Sequence, residues 1–312
     1  MKTTTNTAKR EAAKAKANEH LSAVQAQLTE AIIAGIESDP GNWTKPWVDH
    51  LNAFGMARNA VTGKSYNGGN VLWLTLVAMT AGYSSGEWAT YKQWASIGAQ
   101  VRKGEKSTIG VYWKRWVRVE NEGQPNETKR TGITPFVFRV FNADQVDGYT
   151  PAEPEARPTV DPIENAEAFF AAQGATETNG IGGAYYSPGS DRINVPHRDD
   201  FTDAAAYYCT RAHEFTHWTG HRSRLARPGI VDFDGFGSEQ YAREELVAEL
   251  GAVFVSAHLG ITPEPREDHA QYLAHWLKAA KGDASYVWKA ATAAARACEW
   301  MVARAEALTI AA

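Results

Sequence analysis

Apolar residues recur at helical spacing from about residue 18 to 37, at Leu21, Val24, Leu28, Ile32 and Ile36, and Asp39-Pro40-Gly41 ends the pattern. Residues 43–70 set Trp43 and Trp47 among turn formers, Thr62-Gly63-Lys64 and Asn67-Gly68-Gly69-Asn70, and read as loop. A short apolar helix is predicted over about 70–80, broken by Gly82 and Gly86, and a second over 88–97. β-branched and aromatic residues then predict strands at about 109–119 and 134–141, joined by a polar hairpin at 120–132.

The second half is patterned differently. Helical periods are predicted at about 161–173, 203–219, 239–259, 266–281 and 284–307, with a strand pair over 183–195 that turns at Asp191. Between the halves, residues 148–161 contain Pro151, Pro154 and Pro158 and little to bury, which predicts a linker. Residues 1–17 are rich in Thr, Lys and Ala and are expected to be a disordered tail. The expected class is α+β in two domains: an α+β module over 18–147 and a mostly helical one with a small sheet over 162–312.

Composition narrows the function. With 44% apolar and 22% charged residues, the 312-residue chain can bury a real core. No apolar run approaches the roughly 18 residues of a membrane span. The polar stretch to Lys16 has no apolar signal region, and the two cysteines, Cys209 and Cys298, provide no disulfide framework, so a cytoplasmic location is expected. Net charge is −4 but uneven: residues 1–150 carry 18 Lys/Arg against 13 Asp/Glu, and the remainder 14 against 23. A basic first half suits a polyanionic partner. It does not suit a protein that mimics duplex DNA, which needs a dense acidic surface.

The sharpest chemistry lies at His213-Glu214-x-x-His217. Thr202 is the expected N-cap of its helix, Asp203 suits the positive helix end, and Gly220 suits the far end. Histidines at i and i+4 share a helix face and can reach one tetrahedral metal, with Glu214 beside an open position as general base. Downstream, Ser238 is the expected N-cap of a helix carrying Glu244, Glu245 and Glu249. Glu245 and Glu249 share a face, so one can bind the metal while the other holds a histidine N–H; Glu244 is expected to point elsewhere. The order of these carboxylates resembles the gluzincin peptidases, which implies Glu245 as ligand and Glu249 as its outer partner. A metzincin would need its third histidine at the position of Ser223, so His221 reads as an outer group or a surface residue. Tyr241, Arg243 and His221 are candidates to stabilise an oxyanion. Two histidines and a carboxylate favour Zn2+ and also accept Mn2+, Co2+ or Ni2+. The segment Gly183–Val195 reads equally as a plain hairpin or as a peptide-binding edge strand.

In the first half, residues 88–118 hold Lys92, Arg102, Lys103, Lys106, Lys114, Arg115 and Arg118 against one acid, Glu105. Interleaved are Trp88, Tyr91, Trp94, Tyr112, Trp113 and Trp116. Rings that stack on unpaired bases, beside cations that follow phosphates, suit single-stranded DNA. Trp88, Tyr91 and Trp94, at helical spacing, can equally fill a core. Trp113 and Trp116 have opposite strand parity, so one is expected to be buried and one exposed.

Taken together these residues resemble the plasmid antirestriction family ArdC. The resemblance runs from about residue 20 to 307. It rests on Pro46-Trp47, Asn59-x-x-Thr62-Gly63-Lys64-x-Tyr66-x-Gly68-x-Asn70, Trp88-x-Thr90-Tyr91-Lys92-Gln93, Gly98-x-x-Val101-Arg102-Lys103-Gly104-Glu105-Lys106 and Val140-Phe141-Asn142-x-x-Gln145. In the second half it rests on Ala184-Tyr185-Tyr186, Asp191, His213 to His221, Arg224-Leu225, Phe236-Gly237-Ser238, Tyr241-Ala242 and Glu244 to Leu250. The leading part of some conjugative DNA primases is similar. The resemblance implies a single-stranded-DNA-binding domain, a zinc-metallopeptidase-like domain with a possible protein substrate, and a role in shielding plasmid DNA from restriction during conjugation.

Overall fold

A computed structural model describes residues 2–38, 47–120, 128–151, 162–180, 182–232, 238–261 and 269–311. Helix α1 (Lys2–Ser38) starts far earlier than its apolar stripe. The expected disordered tail is therefore helical from Lys2. Its Ala, Lys, Arg and Glu residues are strong helix formers, and from residue 11 onward the first buried side chain is Ala17, so an anchored second half supports the helix.

The first lobe continues with α2 (Trp47–Phe54), where turns were expected; its Leu51 is fully buried. Then follow β1 (Arg58–Asn59), α3 (Gly69–Ala81), β2 (Glu87–Ala89), α4 (Tyr91–Ser96), β3 (Gln100–Val101), β4 (Thr108–Glu120), β5 (Thr128–Asn142) and β6 (Val146–Asp147). The predicted helix over 88–97 is thus strand at Trp88 and helix only from Tyr91. Thr90 caps α4 with a reciprocal Thr90–Gln93 capping box. One sheet runs β1-β2-β5-β4, and β3 pairs with β6. The long hairpin of β4 and β5 is in continuous antiparallel register from Thr108↔Val140 to Glu120↔Thr128. Asn70 of α3 acts as a strand partner for it: its amide donates to Val111 O (2.6 Å) and accepts from Val111 N (2.9 Å).

The second lobe comprises α5 (Pro162–Ala171), β7 (Thr176–Asn179), β8 (Tyr185–Ser187), β9 (Arg192–Val195), α6 (Ala204–Thr219), α7 (Pro228–Val231), α8 (Glu239–Leu259), α9 (His269–Gly282) and α10 (Tyr286–Ala311). Its sheet runs β7-β9-β8, with β7 parallel and β8 antiparallel to β9. The parallel strand β7 was not foreseen; it is short and polar, and only its partner gives it away.

The architecture is α+β in two lobes. The lobes meet in a shared apolar seam: Leu28, Leu51, Leu72 and Leu74 belong to the same buried cluster as Phe215, Phe254, Tyr286 and Met301. At the seam, the ring of Trp288 occupies the space a Cβ on Gly69 would need, and Gly69 N donates to Thr292 Oγ1 (3.0 Å). Residues 152–161 of the expected linker lie outside the described residues. Among the described residues no helix is long and apolar enough to cross a membrane.

Candidate metal centre and nucleic-acid face

Helix α6 opens at Asp203, whose carboxylate accepts from Ala206 N (2.8 Å); the cap is Asp203, one residue later than expected. Gly220 follows the helix with an ordinary φ of −75°, so conformational freedom does not explain it. Space does: a Cβ there would lie 2.7 Å from Ile230 Cγ1 and 2.8 Å from the Arg227 guanidinium. Helix α8 opens at Ser238, whose hydroxyl accepts from Tyr241 N (3.0 Å). The two helices approach where Gly251 faces Thr216; a Cβ on Gly251 would stand 2.5 Å from that side chain. This contact brings the carboxylates of α8 to the histidines of α6.

His213, His217 and Glu245 converge, each buried, with one potential ligand atom apiece within 4.8 Å of the others. The two Nε2 atoms are 3.1 Å apart, and the Glu245 oxygens lie 3.5 Å from His213 Nε2 and 3.6 Å from His217 Nε2. Donors at about 2.0–2.1 Å from a tetrahedral ion lie roughly 3.3 Å apart, so this triangle fits one metal. Burial alone would raise the Glu245 carboxyl, but His217, His213 and the Tyr241 hydroxyl outweigh it and hold it at about 2. An ionised carboxylate is the form a cation takes. Glu214 is buried on α6 beside His213.

The outer groups differ from expectation at Glu244 and at His221. His213 Nδ1 lies 3.4 Å from Glu249, as the shared helix face suggested. Glu244 does not point away: its Oε1 lies 3.2 Å from His217 Nδ1. Helix α8 lies close against α6 and flanks both histidines, so residues 244 and 249 each find one. Glu244 is fully buried and is held ionised against that burial first by Arg227, then by His217. Arg227 is the residue the sequence did not reveal. Its Nε donates to Glu244 (3.0 Å), Nη1 to Thr219 Oγ1 (2.7 Å) and Nη2 to Thr216 O (2.6 Å). Its only local signal is the following Pro228-Gly229, where a Cβ on Gly229 would lie 2.7 Å from Glu244 Cβ.

Tyr241 places its hydroxyl on Glu245, at the cluster. Arg243 instead lies over the Tyr286 ring (5.5 Å) and pairs with Glu239, and His221 bonds Ser223 Oγ (2.8 Å); neither joins the cluster. Strand β8 forms an edge of its sheet and packs on α6, with Tyr185 exposed.

The first-half candidates separate sharply. Trp88 and Trp94 are fully buried and cannot stack on a ligand. Trp88 sits on β2, inside the sheet between β1 and β5, and Trp94 anchors a small second core, its indole donating to Phe141 O (3.0 Å). Arg102 ties β3 to β6 through Asp144 O, Val146 O and Glu105. Lys92, Lys103, Lys106, Lys114 and Arg115 are exposed. Trp113 and Trp116 are both exposed, against the parity expectation, although Pro135, the register partner of Trp113, is buried.

Rings line one face of the hairpin. Tyr66 stacks on Phe138 (5.8 Å, 8°), Phe138 contacts Tyr112, Tyr112 stacks on Phe136 (5.5 Å, 24°), and Lys114 stands over Phe136. Phe138 and Trp116 lie across Gly110 and Gly132, their register partners, in the space a Cβ would fill. Trp116 is pinned further by its indole donating to Thr134 Oγ1 (3.1 Å). Tyr66, Phe136 and Phe138 were not among the expected binding residues; the alternation that places them beside Tyr112 and Trp116 needs the register.

Comparison with known proteins agrees with this geometry. Residues 22–143 match the N-terminal domain of the anti-restriction factor ArdC, and residues 164–293 match the zincin-like metallopeptidase family. The antirestriction ArdC protein of plasmid R388, in its metal-free crystal structure, is 38% identical with a TM-score of 0.71, over 91% of this chain and 98% of that one. The chain belongs to the ArdC antirestriction family. The R388 ArdC protein has also been solved with Mn(II) bound; that form is 37% identical with a TM-score of 0.68, over 90% of this chain and 97% of that one. Protein y4eC of Sinorhizobium fredii is 38% identical over 89% of this chain and 91% of its own length. The Escherichia coli DNA primase TraC is 38% identical over 88% of this chain, but the match spans only 20% of the primase.

Proposed function

We propose that this protein is an antirestriction factor that coats single-stranded plasmid DNA during conjugation and carries a zinc-dependent peptidase-like centre in the cytoplasm. The observation that carries the DNA reading is the strip of rings Tyr66, Phe138, Tyr112, Phe136 and Trp116, with Lys114 set among them. Ring faces take bases without regard to sequence, and the cations follow the phosphates. Occupation of the strip hides the strand from enzymes that must reach it.

His213, His217 and Glu245 would hold the ion, for which Zn2+ suits the donor set and Mn2+, bound by the R388 relative, is a second candidate. The bound ion supplies Lewis-acid polarisation of a carbonyl and of water. Glu214 would take the proton from the attacking water, and Tyr241 donates a hydrogen bond to Glu245. Three ligands among the described residues would leave a position for substrate, whereas structural zinc sites close with four, which favours chemistry over a purely structural ion. An extended peptide fits along the edge strand β8.

The test is a titration of single-stranded and duplex DNA at several salt concentrations with the full chain. Tight binding that favours the single strand, with log K falling by about 0.7 per contacted phosphate per log unit of salt, supports the reading. Equal affinity for duplex, or no binding, removes it.

A further inference from the structure

Positions 112 to 117 of β4 are all exposed. Successive strand residues face opposite sides, so both faces of β4 meet water there, although on the reverse face Pro135 of β5, opposite Trp113, is buried. The faces are not alike. Tyr112, Lys114 and Trp116, opposite Phe136, Thr134 and Gly132, make the stacking strip. The reverse face carries Trp113, Arg115 and Val117 opposite Pro135, Ile133 and Thr131. Val117 is 66% and Ile133 59% exposed.

A two-stranded ribbon with apolar groups on both sides is poorly stabilised in water alone, and such a surface marks a contact. Charge identifies the kind. From residue 108 to 142 the sequence has six basic residues (Lys114, Arg115, Arg118, Lys129, Arg130, Arg139) and three acids (Glu120, Glu122, Glu127). That balance complements a polyanion on both sides. Val117 and Ile133, diagonal neighbours on the face that also carries Trp113, present an apolar patch suited to the exposed face of a terminal base pair. A two-stranded ribbon is also narrow, with strands about 4.8 Å apart, and can enter between separating strands.

We propose that the hairpin is a wedge at the junction of single- and double-stranded DNA. The ring face holds the unpaired strand, and the Val117/Ile133 face abuts the first base pair. This rests on the DNA reading above and goes beyond it by naming the junction as the preferred target.

The test measures binding of a fluorescent forked duplex, its single-stranded arm alone and the blunt duplex to the full chain. A 2-aminopurine at the first paired position reports unstacking. The fork is expected to bind about tenfold tighter than its arm, in the range of one added stacked base, and the probe to brighten. Val117→Thr with Ile133→Thr keeps strand propensity and charge at exposed sites; it is expected to retain affinity for the arm and lose the fork advantage. A protein that binds the arm but binds the fork no tighter overturns the wedge and leaves the DNA reading standing. Absence of binding to any of the three removes both. If the double variant instead abolishes self-association in sedimentation and leaves the fork advantage intact, the face belongs to a second copy of the chain and the proposal fails.

Discussion

At His217 each group is fixed by another. Its Nδ1 meets Glu244, Glu244 meets Arg227, and Arg227 is tied to Thr216 O and Thr219. On the hairpin the rings hold one another, glycines give them room, and Tyr112, Trp116 and Phe136 are exposed. The buried cluster concentrates its function in few atoms whose geometry cannot relax, because neighbouring helices set every distance. The ribbon spreads its function over several equivalent rings and tolerates loss of any one. Single changes should therefore be severe at the first region and graded at the second.

The largest effect is expected from Glu214→Gln. It should keep metal content, measured by elemental analysis, and lower any peptide hydrolysis by about 10²–10⁴-fold, the usual share of a general base. Cleavage at the normal rate by the metal-loaded variant would remove Glu214 from the mechanism.

Next comes Arg227→Met, which leaves Glu244 ionised and buried without its strongest partner. A loss of about 3–5 kcal/mol in denaturant unfolding is expected. The milder Glu244→Gln should weaken metal binding by about 10–100-fold in calorimetry, as outer partners of histidine ligands do. Unchanged affinity would mean that His217 is oriented by its helix alone.

Tyr112→Ala with Phe136→Ala should weaken single-stranded DNA binding by about 10–100-fold at fixed salt, from lost stacking, with metal content unaltered. Either single change should cost less. A collapse from one ring alone would mean the strip is no more distributed than the metal cluster.

The smallest effect concerns neither region and calibrates both. Burial pushes the Asp283 carboxyl up, but hydrogen bonds from Ser285 and Lys289 prevail and hold it at about 2, below its ordinary 3.8. A depressed carboxylate stabilises the fold above its unfolded pKa, and the contribution disappears as pH falls from about 4 toward 2. Asp283→Asn should flatten that part of the stability–pH curve slightly; an unchanged acid limb would discount the contact.

Much of the metal site is legible in the chain itself. The i, i+4 histidines, Glu214, the cap at Ser238 and the acids of α8 follow from helical period and capping chemistry, which are local. The hairpin strands follow from composition, and the register Tyr112↔Phe136 extends them. Distance across the fold decided the rest. Glu244 turned to His217 because α8 lies close against α6, and Arg227 reached it from a loop with no pattern of its own. Trp88 and Trp116 look alike as letters; one lies buried inside a sheet and the other stands exposed on a two-stranded ribbon. Period, caps and charge depend on neighbours a few residues away, so the sequence alone determined them. Burial and partner choice depend on which surfaces meet, and only the tertiary structure decided those.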